Sequence, residues 1–250
     1  MFTLDGKVAI VTGGTQGLGG AYTAIFVKLG AMVVIGDVRD DEGSDVAERY
    51  NALAGGKRVV YRHLDVTDSA QWQRIADTAE SEFGKLTTLV NNAGVPGRDG
   101  IEATTEASWA GTINVDLKGT WLGMKHCIPA MRRAGGGSIV NTSSTSGLVG
   151  TGRGAPYCSA KGGIHALTKT AAAQYGLEKI RVNSIHPGLV DTPRNKNISD
   201  AWRKEMLRDT PLGRMADPAE IANAVAFLAS DAASFMTGSA MIVDGGMTAI

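Results

Sequence analysis

Short apolar, β-branched runs recur along the chain at Val8 to Val11, Met32 to Ile35, Val59 to Tyr61, Leu86 to Val90, Ser138 to Asn141, Arg181 to Ile185 and Met241 to Val243. They lack the alternation of a half-solvated sheet and read as parallel strands covered on both faces. Between them lie segments with helical spacing: Gly17 to Leu29, Asp41 to Leu53, Ser69 to Phe83, Glu106 to Met131, Ala160 to Tyr175 and Pro218 to Ala229. Strand and helix in alternation predict right-handed crossovers and an α/β fold, a doubly wound parallel sheet with helices on both faces. One stretch departs from the pattern. Leu189 to Arg214 is polar, carries Pro193, Trp202 and Pro211, and is too long for an ordinary connection. At the carboxyl edge of a sheet such an insertion reads as a substrate-binding loop or lid, residues 189–214.

The totals narrow the partners more than the fold. A chain of 250 residues with 43% hydrophobic composition can bury one large core, and a single domain over residues 1–250 is the simplest expectation. Lysine plus arginine and aspartate plus glutamate are equal at 25 each. That balance argues against nucleic acid or an anionic membrane as partner and favours a small, uncharged ligand. The two cysteines, Cys127 and Cys158, have no CxxC spacing, which suggests neither a disulfide framework nor a structural zinc site. None of His63, His126, His165 and His186 has a metal-like neighbour spacing, so no metal is expected. The start enters an apolar run without a basic leader, and no run reaches the ~18 residues of a membrane span. The expectation is a cytoplasmic protein.

After the first predicted strand comes TGGTQGLG, Thr12 to Gly19. Gly13, Gly17 and Gly19 remove side chains where the strand turns into a helix. Backbone and the positive helix end can then approach a pyrophosphate, with Thr15, Gln16 and Leu18 completing the turn. An acid, Asp37, ends the second strand 18 residues after Gly19, followed by Val38. Strand, glycine turn, helix and acid together form the dinucleotide fingerprint. A carboxylate at Asp37 can accept hydrogen bonds from the hydroxyls of an adenosine ribose. A 2′-phosphate there meets repulsion of about 4 kcal/mol per charge pair at 4 Å in an effective dielectric of 20. NAD is therefore expected over NADP, with Arg39 the one nearby residue able to soften that preference.

A second feature is APYCSAKGG, Ala155 to Gly163, which sets Tyr157 and Lys161 one turn apart on a helix face after a loop rich in Gly, Ser and Thr. A phenol holds its proton at neutral pH, and a cation close by favours the phenolate. Such a pair can pass a proton to or from an alcohol oxygen while hydride moves to or from a nicotinamide. Either Ser143 or Ser144, adjacent hydroxyls at a strand end, can hold the substrate oxygen.

TGGTQGLG, Asp65-Val66, NNAG at Asn91 to Gly94, Asn114, Ser144 in NTSSTSG, YCSAK and HPGLVDT from His186 to Thr192 occur in order along the whole chain. In this set the sequence resembles the short-chain dehydrogenase/reductase family. The resemblance implies a Rossmann fold with a seven-stranded parallel sheet and a homotetramer. It also implies a catalytic set of Asn114, Ser144, Tyr157 and Lys161, the family register selecting Ser144 over Ser143. By the same resemblance Asn114 holds a water linked to Lys161, and Lys161 bonds the nicotinamide ribose. Asp65 and Val66 meet the adenine, and Asn91, Ala93 and Gly94 floor the adenosine ribose. Pro187 and Gly188 form the turn after the sixth strand, and Val190 and Thr192 hold the carboxamide.

The leading expectation is an NAD-dependent dehydrogenase of secondary alcohols, similar to the alcohol, cyclic-alcohol and hydroxysteroid branch of the family. Two other readings compete. A reductase of 3-oxoacyl chains on a carrier protein would use NADPH, against which Asp37 and the neutral charge both speak. A non-catalytic NAD-binding sensor could share the fold but would have little use for Tyr157 and Lys161 together.

Overall fold

A computed structural model of the chain describes residues 2–195 and 199–249. Seven strands, β1 (Val8–Thr12), β2 (Met32–Asp37), β3 (Val59–His63), β4 (Thr88–Asn91), β5 (Gly137–Thr142), β6 (Ile180–Pro187) and β7 (Ala240–Val243), form one sheet in the order β3-β2-β1-β4-β5-β6-β7. Every pairing is parallel. Each apolar run of the sequence lies within or overlaps one of these strands. The sheet grows outward in both directions from β1, so the crossovers reverse between β1 and β4. That reversal opens a crevice at the carboxyl ends of the strands.

Continuous apolar strands are what a sheet covered on both faces requires. Along β1, Val8 and Ile10 belong to one buried cluster, while Ala9 and Val11 belong to the other. The first cluster is closed by α3 (Ser69–Phe83), α5 (Gly119–Arg133) and α6 (Ala155–Tyr175), through Trp72, Ile75, Leu122 and Ala171. The second is closed by α1 (Gly17–Lys28), α2 (Asp40–Ala54) and α8 (Pro218–Ala229), through Tyr22, Phe26, Val46 and Val225. Trp72, Tyr22 and Phe26 are the largest fully buried side chains, each removing on the order of 150–250 Å² from water.

Local signals in the sequence set several helix starts. The Asp68 carboxylate accepts from the backbone N–H of Ala70 and Gln71 at the start of α3. Asp217 and Glu220 form a reciprocal capping box at the start of α8. One expected element is interrupted. The segment read as a single helix over Glu106 to Met131 comprises α4 (Glu106–Thr112), a π-helical segment (Ile113–Lys118) and α5. Within the π segment the Gly119 N–H reaches the Asn114 carbonyl, one residue farther than an α-helix allows. The wider turn changes which side chains face inward. The stretch 189–214 holds a short 3-10 turn, Pro193–Asn195, and a helix, α7 (Asp200–Arg208), while its residues 196–198 lie outside the described residues. Among the described residues no helix is long and apolar enough to cross a membrane.

Candidate active site

The crevice is a continuous cleft of about 1390 Å³ along the carboxyl ends of the strands, roofed by residues of α7. Its first wall is the β1–α1 turn. A Cβ added to Gly19 would stand 1.9 Å from the Gly13 carbonyl oxygen and 2.6 Å from Asn92 Nδ2. Gly13 has φ of +62°. Only glycine permits that combination of contact and conformation. The turn is tied to the loop after β4 by Thr12, whose hydroxyl accepts from the N–H groups of Asn92 (2.8 Å) and Ala93 (3.0 Å). Asn92 Nδ2 in turn donates to the Thr12 carbonyl at 2.9 Å. The result is a rigid glycine-lined cradle at a helix N-terminus, a shape that accepts a pyrophosphate.

Asp37, at the end of β2, is buried, and its carboxylate is fixed from three sides. It accepts from the Thr15 hydroxyl (2.8 Å), the Thr15 N–H (3.3 Å) and the Val38 N–H (2.8 Å). Thr15 therefore acts on the cleft through Asp37 and does not line it. Gln16, Gly17, Leu18, Val38, Asp65, Val66, Ala93 and Gly94 all line the cleft at this end. Asn91 does not. It is buried beneath the floor, its Nδ2 donating to Asn141 Oδ1 (2.9 Å) and the Thr120 carbonyl (3.3 Å). It holds β4 to β5, and its expected place beside the ribose is corrected to a structural one, because strand alternation turns its side chain inward.

The same cleft is lined by Ser144, Tyr157, Lys161, Pro187, Gly188, Val190 and Thr192, with Thr192 beside Gly17 of the glycine turn. Lys161, one turn beyond Tyr157 on α6, is 4% exposed. Its ammonium donates to the Thr142 carbonyl at 2.9 Å, lies 5.4 Å from the Tyr157 ring centroid, and stands 3.3 Å from Asp116 Oδ2. The two adjacent serines differ in direction. Ser143 is buried and donates its hydroxyl to the Lys161 carbonyl at 2.8 Å, which pins β5 to α6. Ser144 is half-buried in extended backbone, and its hydroxyl accepts from the Ser146 N–H at 3.2 Å. That leaves the Ser144 proton available to an oxygen in the cleft. His186 supports it from β6, with Nδ1 donating to the Ser144 carbonyl at 3.0 Å and Nε2 accepting from Ser184 at 2.8 Å. Burial holds the His186 imidazole below its ordinary titration range and so keeps it neutral.

Asn114 is not part of this group. It lies exposed on the π segment and does not line the cleft, so the expected catalytic position is corrected. The inward residue of that segment is Asp116, fully buried, with Oδ1 accepting from the Val95 N–H at 2.8 Å and Oδ2 facing Lys161. Its signal in the sequence is an acid between Val115 and Leu117 on a segment patterned as a packed helix. A search for an amide alone passes over it. The roof holds a second group that spacing did not reveal. Arg153 lies 5.4 Å over the Trp202 ring centroid, and its Nη2 is 3.4 Å from Glu205 Oε2, coupling the loop before Tyr157 to α7.

The site thus joins, in one cleft, a phosphate-shaped cradle, a buried acid hydrogen-bonded to Thr15 of that turn, and a serine, tyrosine and lysine. Among the described residues no group of three or more His, Cys, Asp or Glu could hold a metal ion. The residues present fit a nicotinamide dinucleotide. The fit is carried by the Gly13 and Gly19 approach, which any Cβ would block.

Comparison with known proteins agrees with the geometry. A family model described as enoyl-(acyl carrier protein) reductase matches residues 13–248. The chain is 44% identical over 247 residues to the trans-4-hydroxycyclohexanecarboxylate dehydrogenase of Sinomonas cyclohexanicum, covering 97% of this chain and 93% of that protein. It is 45% identical over 246 residues to a 3-alpha-(or 20-beta)-hydroxysteroid dehydrogenase of Mycobacterium bovis, covering 98% and 91% of the two chains. It is 38% identical to the cyclopentanol dehydrogenase of a Comamonas species over the full length of both. With its all-parallel sheet, its glycine cradle and its Ser144, Tyr157 and Lys161, the chain belongs to the short-chain dehydrogenase/reductase family of nicotinamide-dependent oxidoreductases.

Proposed function

We propose that the protein is an NAD-dependent dehydrogenase of secondary alcohols, working also in the ketone direction, with cyclic and steroid-like carbinols as the substrate class. The observation that carries the reading is that Ser144, Tyr157 and Lys161 line the same cleft as the glycine cradle and Asp37. When bound, the cofactor supplies a hydride acceptor or donor. All else is done by the chain. The Gly13 to Gly19 turn receives the pyrophosphate, and Asp37, held ready by Thr15, receives the ribose hydroxyls and disfavours a 2′-phosphate. Asp65 and Val66 face the adenine, and Val190 and Thr192 face the carboxamide. Ser144 donates to the carbinol or carbonyl oxygen and orients it toward Tyr157. Tyr157 as phenolate takes the alcohol proton in oxidation and as phenol gives it up in reduction, with the Lys161 ammonium stabilising the phenolate.

The substrate end of the cleft is mainly small and apolar, with Val95, Pro96, Val149, Leu189 and Met247 on its walls. That lining suits an uncharged ring. Hydroxycyclohexane, hydroxysteroid and cyclopentanol relatives support the same class. The neutral balance of charge and Asp37 speak against an NADPH-dependent reductase of acyl chains on a carrier protein. A soluble, cytoplasmic homotetramer belongs to the same reading. It is supported by the two free cysteines and by exposed apolar residues on α4, α5 and the edge strand β7, namely Trp109, Trp121 and Ile242.

The test mixes the purified protein with NAD or NADP and a panel of cyclohexanols, cyclopentanol and hydroxysteroids, following reduced-cofactor absorbance. Turnover with NAD, abolished in Tyr157→Phe while NAD still binds, is the expected result. Binding of NAD without turnover of any alcohol or ketone would move the protein to the class of nucleotide-binding sensors.

A further inference from the structure

Among the described residues four cationic side chains line the cleft: Arg39, Arg98, Arg153 and Lys161. Three of them have a carboxylate of this chain within ion-pair distance. Arg39 meets Glu42 at 3.8 Å, Arg153 meets Glu205 at 3.4 Å and Lys161 meets Asp116 at 3.3 Å. Arg98 has no such partner among the described residues. Both acids that α7 and its end bring to the cleft are engaged, Glu205 with Arg153 and Asp209 with Arg208 at 3.0 Å. Asp99 follows Arg98 in the chain but does not line the cleft.

The backbone around Arg98 is fixed close to the proton-transfer group. The N–H groups of Gly154 and Ala155 donate to the Asp99 carbonyl at 3.1 and 3.0 Å. A Cβ on Gly97 would stand 2.7 Å from Pro156 Cγ and 3.2 Å from the Tyr157 nitrogen. Residues 97–99 are therefore packed on the first turn of α6, beside Tyr157, while Val95 and Pro96 of the same loop give the cleft an apolar wall.

We propose that Arg98 is a specificity-determining residue that binds a carboxylate carried by the substrate ring at a carbon remote from the carbinol. The inference rests on the reaction proposed above and narrows its substrate class. The ring lies against the apolar wall with its carbinol oxygen at Ser144 and Tyr157, and its anionic substituent turns outward to Arg98. A guanidinium presents paired N–H donors that match a carboxylate in bidentate geometry, and it stays charged over the whole working pH range. In open water such a pair contributes little. Beneath the α7 roof the ring displaces part of that water, and the attraction strengthens. Arg153 borders the same space, but its guanidinium is committed to Glu205 and the Trp202 ring. It holds the roof, and Arg98 receives the ligand.

The probes are cyclohexanols with a carboxylate at ring position 3 or 4, as cis and trans isomers, each beside its methyl ester, which keeps the ring and removes the charge. kcat/KM for NAD-linked oxidation is measured for wild type, Arg98→Gln and Arg98→Lys. Wild type should favour the acid of at least one isomer. For that isomer the acid-to-ester ratio should fall by about tenfold in Arg98→Gln, through KM, and Arg98→Lys should recover part of it. Added salt should lower the ratio in wild type and leave it level in Arg98→Gln. A second arm needs no turnover. Isothermal titration of each acid and ester into the NAD-saturated Tyr157→Phe protein, with and without Arg98→Gln, reads the same ratio as Kd. If wild type oxidises no alcohol, the proposed function fails and the titration alone decides the inference. An acid-to-ester ratio that is equal in the presence and absence of Arg98, by both measures, would overturn it. So would weaker NAD binding in Arg98→Gln with the ratio unmoved, which would assign the guanidinium to the cofactor.

Discussion

A Cβ on Gly19 would lie 1.9 Å from the carbonyl oxygen of Gly13, so the first helix begins in direct van der Waals contact with the end of the first strand. No side chain can be accommodated unless the β1–α1 turn opens. Gly19→Ala should therefore weaken NAD binding by about tenfold or more and lower stability by about 1–3 kcal/mol, the range for overpacking a tight contact. Isothermal titration with NAD, alongside thermal unfolding of the unliganded protein, checks both. Unchanged affinity would mean that the cofactor does not sit on this turn.

Ser143 and Ser144 separate structure from chemistry. Ser143→Ala removes the buried bond to the Lys161 carbonyl and should cost about 1 kcal/mol of stability, with a small effect on rate. Ser144→Ala removes the donor aimed into the cleft and should lower kcat by about 10²- to 10³-fold, as loss of one preorganised donor does elsewhere, while barely changing the melting temperature. The reverse pattern would reassign the substrate contact to Ser143.

Asp37 is fixed by three hydrogen bonds before any ribose arrives, so its charge is both localised and preorganised. Repulsion of about 4 kcal/mol against a 2′-phosphate sets a ceiling near a thousandfold for discrimination. Asp37→Ser should raise the NADP-to-NAD ratio of kcat/KM by about tenfold or more, short of that ceiling because the site opens to solvent. Arg39, exposed and 3.8 Å from Glu42, is the residue that would meet the phosphate in the variant.

Arg153 links the roof to the wall through the Trp202 ring and Glu205. All three are at least partly exposed, so Arg153→Ala should change stability by no more than about 0.5 kcal/mol. Its effect belongs to closure. KM for a bulky cyclic alcohol should rise several-fold with kcat nearly unchanged, and less for a small open-chain alcohol that needs no roof. Equal effects on both substrates would take Arg153 out of the substrate pocket.

The elements that sequence reasoning located end to end are those whose boundaries are written locally. α3 begins where Asp68 can cap it and α8 where Asp217 and Glu220 can, and both match the periodicity over their whole length. Tyr157 and Lys161 were legible for the same reason, because i and i+4 on a helix define a face before anything else folds. Asp116 was not. Its inward direction depends on a π turn, and that turn is stable because the segment packs against α6 and the loop after β4, neither of which is near it in sequence. Asn91 and the Arg153 to Trp202 contact share that character. One is decided by which face of β4 meets β5, the other by how α7 folds back over the cleft.

His186 links acid stability to the site. It is fully buried, and its imidazole titrates below the ordinary range chiefly because burial penalises the charged ring; the hydrogen bond to the Ser144 carbonyl works in the other direction, and His165 and Lys161 add smaller repulsions. In the unfolded chain the same ring titrates near ~6.5. Between that value and the lower folded value, the unfolded state binds a proton that the folded state refuses. Its contribution to stability is therefore complete above about pH 6.5 and is lost as pH falls, at up to about 1.4 kcal/mol per pH unit for this group. His126 and His165 are displaced in the same direction, again by burial first, so the three act in one window. His186→Gln should start from a lower melting temperature at about pH 7.5, since the Ser144 carbonyl and the Ser184 hydroxyl lose their fitted partner. Its further drop on going to about pH 5.5 should be smaller than that of the wild type. An equal drop in both proteins would assign the acid sensitivity to the other histidines and detach it from Ser144.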